Sequence, residues 1–177
     1  MKKHVISYYW GIVLLLLSLS SVIAEEVYPP PPQGVQWGWQ GEVLFKINSA
    51  NIQSQFKPFL DTIVTLLVRY PDKINLLITG RTDNTGDIEY NRKLSLRRIE
   101  AISNYLIKQG VLPRQIETQA VGEQRPVSNN ACTEDRERNR RTDLAFFPIG
   151  VVPPKTEIVH GETQPQFGEC EKLKQLQ

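Results

Sequence analysis

The residues with the clearest chemical potential are an acidic side chain in a short polar loop and an arginine on the segment that follows it. Residues 80–86 read Gly-Arg-Thr-Asp-Asn-Thr-Gly, and Asp83 is the acidic member. Asn91, Ser95 and Arg98 follow with the spacing i, i+4, i+7, which places them on one face of a helix. A carboxylate can bind an ammonium group, and a guanidinium can hold a carboxylate through two hydrogen bonds. A site that contains both is complementary to a zwitterion such as an amino-acid-like head group.

The position of this loop also favours ligand binding. It follows an apolar run and opens onto the start of a helix, where unsatisfied backbone N–H groups suit a carboxylate. Each residue taken alone has a plainer explanation. Asp83 would then cap the loop or the helix, and Arg98 would form a surface salt bridge of little energetic value.

Apolar patterning supplies the elements that must position these residues. Four apolar runs predict strands, at about residues 43–47, 74–79, 116–121 and 142–147. Helical periodicity predicts long helices at about 54–70 and 87–109 and a short one at about 133–139. Strands that alternate with helices imply crossovers that pack the helices on a sheet. We therefore predict an α+β fold, a β-α-β-α-β-(α)-β two-layer sandwich with a mixed four-stranded sheet and helices on one face.

Five motifs in one order make the middle of the chain recognisable. They are Phe45-(x)2-Asn48-Ser49-Ala50, Thr82-Asp83-(x)2-Gly86, Tyr90-Asn91-(x)2-Leu94-Ser95-(x)2-Arg98, Gly122-Glu123-(x)2-Pro126 and Asn139-Arg140-Arg141. One of them would be weak, but five in sequence are specific. The segment from Val43 to Phe147, about 105 of 177 residues, resembles the OmpA-like C-terminal domain shared by OmpA, Pal and MotB proteins.

The resemblance implies non-covalent binding of peptidoglycan through the meso-diaminopimelate of the stem peptide. By the family pattern, Asp83 matches the residue that engages the ammonium group and Arg98 the one that grips the carboxylate. The other expected members of this site are Asn48, Thr82, Thr85, Asn91, Leu94 and Arg140. Two residues depart from the pattern. Arg81 replaces a usual histidine and is expected to add a charge beside the pocket, and Ile99 replaces a small residue and bears on helix packing.

Neither enzymatic chemistry nor a cofactor is indicated. The sequence shows no Ser-His-Asp set and no metal-ligand cluster, and the spacing of Asp83 and Glu123 does not support glycan hydrolysis. The formal charge of +2 is too small to indicate nucleic acid as a partner. The predicted partners are peptidoglycan and, as an alternative main role, proteins of an envelope secretion or motility complex in which the chain is a structural subunit.

The ends of the chain indicate export. Lys2 and Lys3 precede an apolar run and Ala24, which predicts a signal peptide over residues 1–24, with an uncleaved anchor as the alternative. We predict a proline-rich extended segment at 25–41, the domain at 42–148 and an extended tail at 149–177. The predicted location is the periplasm, associated with the cell wall and at the outer membrane, with no membrane span after cleavage.

Two cysteines, Cys132 and Cys170, complete the expectations for the mature chain. Export makes a disulfide between them chemically possible, and it would close a loop of 38 residues. Two unpaired thiols are the alternative.

Overall fold

A computed structural model of the chain describes residues 30–151. Strands and α-helices alternate, as β1 (Gly38–Leu44), α1 (Lys57–Arg69), β2 (Ile74–Arg81), α2 (Ile88–Lys108), β3 (Ile116–Gly122), α3 (Thr133–Asn139) and β4 (Arg141–Pro148). The sheet order is β1-β4-β2-β3, in which β2 and β3 are parallel and the other neighbours antiparallel. The predicted α+β sandwich with a mixed four-stranded sheet is confirmed.

The hydrophobic core lies between the helices and one face of the sheet, which we call the inner face. Alternate residues of the central strands point into it, namely Ile74, Leu76, Ile78, Leu144 and Phe146. They pack against the apolar stripes of the two long helices, formed by Leu60, Ile63, Leu67, Ile99, Ile102 and Leu106. Full burial of each such side chain stabilises the fold by roughly 1.5–3 kcal/mol. This core fixes α2 against β2, and the predicted site depends on both.

Helix α2 begins and ends where the sequence predicts. Asp87 is its N-cap, and its carboxylate accepts a hydrogen bond of 2.8 Å from the backbone N–H of Tyr90. Just beyond its C-terminal end, Gly110 has a φ of 102°, a left-handed conformation that favours glycine. The cap sets the helix start and so the direction in which Asn91 and Arg98 point.

A close approach between β2 and α2 depends on a glycine. A Cβ atom at Gly80 would lie 2.5 Å from the backbone oxygen of Ser95 and 2.9 Å from Cγ1 of Ile99. Ile99 is itself buried and packs in the space that Gly80 leaves open. The large residue on α2 is therefore matched by the absent side chain on β2, and the helix stays close to the end of the strand.

Strand β1 differs from the predicted one. It begins at Gly38 and ends at Leu44, with an irregular register between Trp39 and Gly41. Ile47 was expected inside the strand, but 67% of its surface is exposed. The chain has already left the sheet there, and Asn48 takes a left-handed φ of 51°. Apolar content alone extended the predicted strand too far.

The predicted proline-rich segment is described from residue 30 onward. The backbone N–H of Val35 donates to the carbonyl of Pro32, which closes a turn, and Val35 belongs to the buried core. No helix within residues 30–151 has the length and apolar character needed to cross a membrane. The predicted signal peptide, most of the predicted tail and Cys170 lie outside the described residues, and the predictions about them stay predictions.

Candidate ligand-binding site

A cleft of about 220 Å³ opens at the carboxyl end of β2, between the loop that follows β1, the loop that follows β2 and helix α2. Its lining consists of Ile47, Asn48, Thr82, Asp83, Thr85, Gly86, Tyr90, Asn91, Leu94, Arg98 and Arg140. The structure thus brings all eight sequence-predicted site residues into one cavity. Their role in ligand binding is a prediction.

Asp83 is the acidic group of the cleft, and it is only 5% exposed. One carboxylate oxygen accepts hydrogen bonds from the backbone N–H and the hydroxyl of Thr85. The other accepts a hydrogen bond of 3.0 Å from Arg140. Burial raises the pKa of Asp83, but the hydrogen bonds from Thr85 and Arg140 and the charge of Arg140 outweigh it, so that its pKa lies below the ordinary value. The carboxylate is therefore ionised at neutral pH.

Arg98 is fully buried and holds three stretches of backbone together. Its guanidinium donates to the carbonyls of Ser49 at 2.9 Å, Arg81 at 2.7 Å and Lys46 at 3.3 Å. The guanidinium carbon also lies 5.0 Å from the centre of the Phe45 ring. Burial lowers the pKa of Arg98 to about 10, so the side chain stays cationic at neutral pH.

The hydrogen bonds of Arg98 leave room for a ligand. A guanidinium has five N–H groups, and three of these donate to the carbonyls of the surrounding loops. Within the described chain, one N–H on each terminal nitrogen is left for a group in the cleft. Asp83 lines the same cleft, and its negative charge acts to raise the pKa of Arg98 against the effect of burial.

Arg140, Asn91 and Thr82 are further polar side chains that line the cleft. Arg140 donates to Asp83 and, at 3.3 Å, to the carbonyl of Phe45, and it is 6% exposed. Asn91 donates to Glu123 at 2.6 Å, which fixes the orientation of its amide. Thr82 is buried, and its hydroxyl oxygen has no hydrogen-bond partner in the described part of the chain. Such an oxygen is a position where a ligand can supply the missing bond.

Three lining residues were not among the predicted ones, namely Ile47, Gly86 and Tyr90. The hydroxyl of Tyr90 donates to the side-chain oxygen of Asn48 and so joins the start of α2 to the loop after β1. Gly86 has a φ of 93°, and a Cβ there would lie 3.4 Å from the Tyr90 ring. Tyr90 could have been found from the sequence, because it lies inside the quoted Tyr90-Asn91 motif.

Arg81 does not contribute to the cleft as expected. Its side chain projects to the outer face, by which we mean the side of the sheet opposite α1 and α2. There its Nε donates to Asp143 at 2.6 Å, and one terminal nitrogen donates to the carbonyls of Gln124 and Arg125. Only its backbone carbonyl serves the site, as an acceptor for Arg98. The expectation that Arg81 adds a charge beside the pocket is wrong, because side chains alternate along a strand and this one points away.

Comparison with known proteins assigns the chain. Residues 44–140 match the model of the OmpA family, which is more than half of the sequence. The chain belongs to the OmpA family. The predicted resemblance is confirmed, and membership makes this domain a binding module and not an enzyme. Among residues 30–151, no group of three or more His, Cys, Asp and Glu side chains is placed to hold a metal ion.

Two relatives match this chain over part of their length. The OmpA-family chain is 32% identical over 107 residues to the probable lipoprotein YiaD of Escherichia coli, covering 60% of this chain and 48% of that protein. It is 29% identical over 113 residues to outer membrane protein A of Bordetella avium, covering 64% and 58%. The chain thus spans about half the length of these relatives.

Solved structures agree with the fold. The peptidoglycan-associated lipoprotein of Burkholderia pseudomallei superposes with a TM-score of 0.58 at 32% identity, over 60% of this chain and 90% of that one. The cell wall anchor of the type VI secretion system of Pseudomonas aeruginosa has a TM-score of 0.50 at 30% identity, over 59% and 75%. The C-terminal domain of Helicobacter pylori MotB, at 23% identity and a TM-score of 0.55 over 60% and 84%, shares the fold.

Proposed function

We propose that this OmpA-family domain binds peptidoglycan non-covalently through the meso-diaminopimelate of the stem peptide and anchors an exported protein to the cell wall. The observation that carries the proposal is the convergence of Asp83 and Arg98 on one cleft of about 220 Å³. The similarity to a peptidoglycan-associated lipoprotein and to a cell wall anchor supports it.

The free end of diaminopimelate fits the chemistry of the cleft. It carries an ammonium and a carboxylate on one carbon atom, at the end of a short methylene chain. The ionised Asp83 is the partner for the ammonium, and the two remaining N–H groups of Arg98 are the donors for the carboxylate. Leu94 provides an apolar wall for the methylene groups, and the Thr82 hydroxyl offers a further hydrogen bond.

The same proposal sets the location. A domain that binds the wall must be exported, and the predicted signal peptide at residues 1–24 provides the route. We propose a periplasmic protein that is associated with the wall and acts at the outer membrane, where relatives such as outer membrane protein A are named.

Co-sedimentation of the mature chain with purified sacculi tests the site. Asp83→Asn keeps the shape of the side chain but removes the charge that faces the ammonium. Losing one partner of a desolvated charge pair costs about 2–5 kcal/mol, so affinity should fall at least about thirtyfold. The matched control is Asp87→Asn, because Asp87 lies four residues away and outside the cleft, and asparagine is also a good N-cap. Equal binding by Asp83→Asn and the wild type would refute the assignment.

Two further versions of this assay test the ligand's carboxylate and the charge of Asp83 separately. Sacculi with lysine in place of diaminopimelate keep the ammonium but lose the carboxylate, and we expect markedly weaker binding to them. The lowered pKa of Asp83 predicts the pH dependence. Its charge is present above its folded pKa, so binding should persist down to about pH 5 and weaken only in stronger acid, as the carboxylate is protonated. Loss of binding between pH 8 and 6 would point to another group.

A second candidate role is that of a structural subunit of an envelope secretion or motility complex. The similarity to the wall anchor of a secretion system favours it. A pull-down from envelope extracts distinguishes the two roles. A protein partner that is retained equally by the wild type and Asp83→Asn would make protein–protein contact the main role, with wall binding secondary.

A further inference from the structure

The outer face of the two central strands, β2 and β4, is buried, although the long helices pack against the inner face. Leu77 and Phe147 are each 5% exposed and Ala145 is 6% exposed. Their side chains alternate with those of the inner face, and none of the three belongs to the core cluster that α1 and α2 complete. They therefore form a second apolar patch, which we call the outer patch, with a cover of its own.

Charged side chains at one end of this face are equally enclosed. Asp143 is fully buried between Arg81 and Arg141, which donate to its two oxygens at 2.6 and 2.8 Å. A sheet of this kind commonly leaves its second face to water, with polar side chains that are free to be solvated. The loop after β3 closes the charged end, because Arg81 donates to the carbonyls of Gln124 and Arg125. The buried apolar side chains on the same face need a cover as well.

The chain turns directly after β4, next to Phe147 of the outer patch. The backbone N–H of Val151 donates to the carbonyl of Pro148 at 3.3 Å, which closes a tight turn, and Gly150 within it has a left-handed φ of 83°. The N–H of Ile149 donates to Lys73, next to the start of β2, and fastens the turn to the sheet. The chain therefore reverses direction beside the outer patch as soon as the strand ends.

We propose that the C-terminal segment, residues 152–177, docks on the outer face of the sheet and is the cover of the outer patch. The segment has 26 residues, which is more than enough, since returning along the eight residues of β4 requires a span of about 27 Å. Its apolar residues Ile158, Val159 and Phe167 are the ones suited to pack on Leu77 and Phe147.

This docking leaves the cleft free. The lining of the cleft comes from α2 and the loops at the ends of the strands, whereas the outer patch lies on the side opposite α2. The C-terminal segment is then a structural part of the domain that completes its second face, and it does not compete with a ligand for Asp83 or Arg98.

Side-chain footprinting of the full mature chain tests the proposal. The wild type is compared with a triple variant, Ile158→Glu, Val159→Glu and Phe167→Glu. Loss of the cover should raise the labelling of Leu77 and Phe147 about tenfold, since their exposure would rise from 5% to that of an open sheet face. Leu76 and Phe146 are their neighbours on the inner face and should stay protected, which reports an intact fold. Unchanged protection of Leu77 and Phe147 in the triple variant would overturn the proposal.

Photocrosslinking tests whether residues 152–177 lie on the outer face without any substitution in those residues. Glu117 and Thr118 are both exposed residues of β3, and they point to the outer and inner faces respectively. Glu117→benzoylphenylalanine should crosslink to residues 152–177 of the same chain, and Thr118→benzoylphenylalanine should not. Crosslinks from position 117 to a second copy, or to no residue of this segment, would show that the cover comes from elsewhere.

Discussion

The buried guanidinium of Arg98 allows a prediction about stability that is separate from binding. Arg98→Ala removes donors from the carbonyls of Lys46, Ser49 and Arg81. Each buried acceptor left without a partner costs about 1–3 kcal/mol, and relief from burying a charge offsets part of the sum. We expect a net loss of about 3–5 kcal/mol, because three buried carbonyls lose their donor and the offset recovers only part of that cost.

Urea denaturation of the mature chain, followed by circular dichroism, measures this loss. The control is Arg97→Ala, because Arg97 is the exposed neighbour on the same helix, and its removal should change stability by less than about 0.5 kcal/mol. Arg98→Lys keeps the charge but cannot reach three carbonyls with one ammonium group, and it should fall between the two. If Arg98→Ala unfolds within 1 kcal/mol of the wild type, as a rough limit, the structural role of Arg98 is refuted.

Three further predictions concern other parts of the fold. Gly80→Ala should cost about 1–3 kcal/mol in urea denaturation, because the new methyl group meets the backbone of α2 at 2.5 Å; unchanged stability would contradict the close packing. Arg81→Met should destabilise by about 2 kcal/mol or more, since buried Asp143 loses a partner, yet retain binding to sacculi; lost binding would return Arg81 to the site. The predicted Cys132–Cys170 disulfide should appear in the intact mass of the oxidised chain, and its reduction should lower stability by roughly 4 kcal/mol; two thiols accessible to alkylation would contradict it.

The fold and the membership of the cleft could be predicted from the sequence because both depend on local patterns. Helical periodicity and the caps at Asp87 and Gly110 determine where α2 lies, and that helix carries Asn91, Leu94 and Arg98 into the site. The order of the motifs along the chain then implied that the loops on either side would meet them.

The directions of several side chains required more than motif matching. The family pattern, with a usual histidine at this position, predicts that Arg81 adds a charge beside the pocket, but strand alternation sends its side chain to the outer face. The pattern Ile74 to Ile78 already contained that information, since its alternate members point inward. The burial of the outer patch could not be predicted in the same way, because apolar residues on both faces of a strand indicate a cover without saying what it is.

The hydrogen-bond partners of Arg98 could also not be predicted from the sequence. An arginine on a helix face gives no indication that three backbone carbonyls from separate segments share its guanidinium. This double use has a practical consequence. Substitution of Arg98 perturbs folding and binding together, so Asp83 is the better residue for testing the site.

The most direct test of the account is a nuclear magnetic resonance titration of the mature chain with a stem tripeptide that ends in meso-diaminopimelate. Backbone amide shifts should change mainly in residues 82–86 and 91–98, and Asp83→Asn should abolish the changes while Asp87→Asn retains them. Changes that centre elsewhere, or equal responses from Asp83→Asn and the wild type, would contradict the claim that this cleft recognises a ligand bearing both charges.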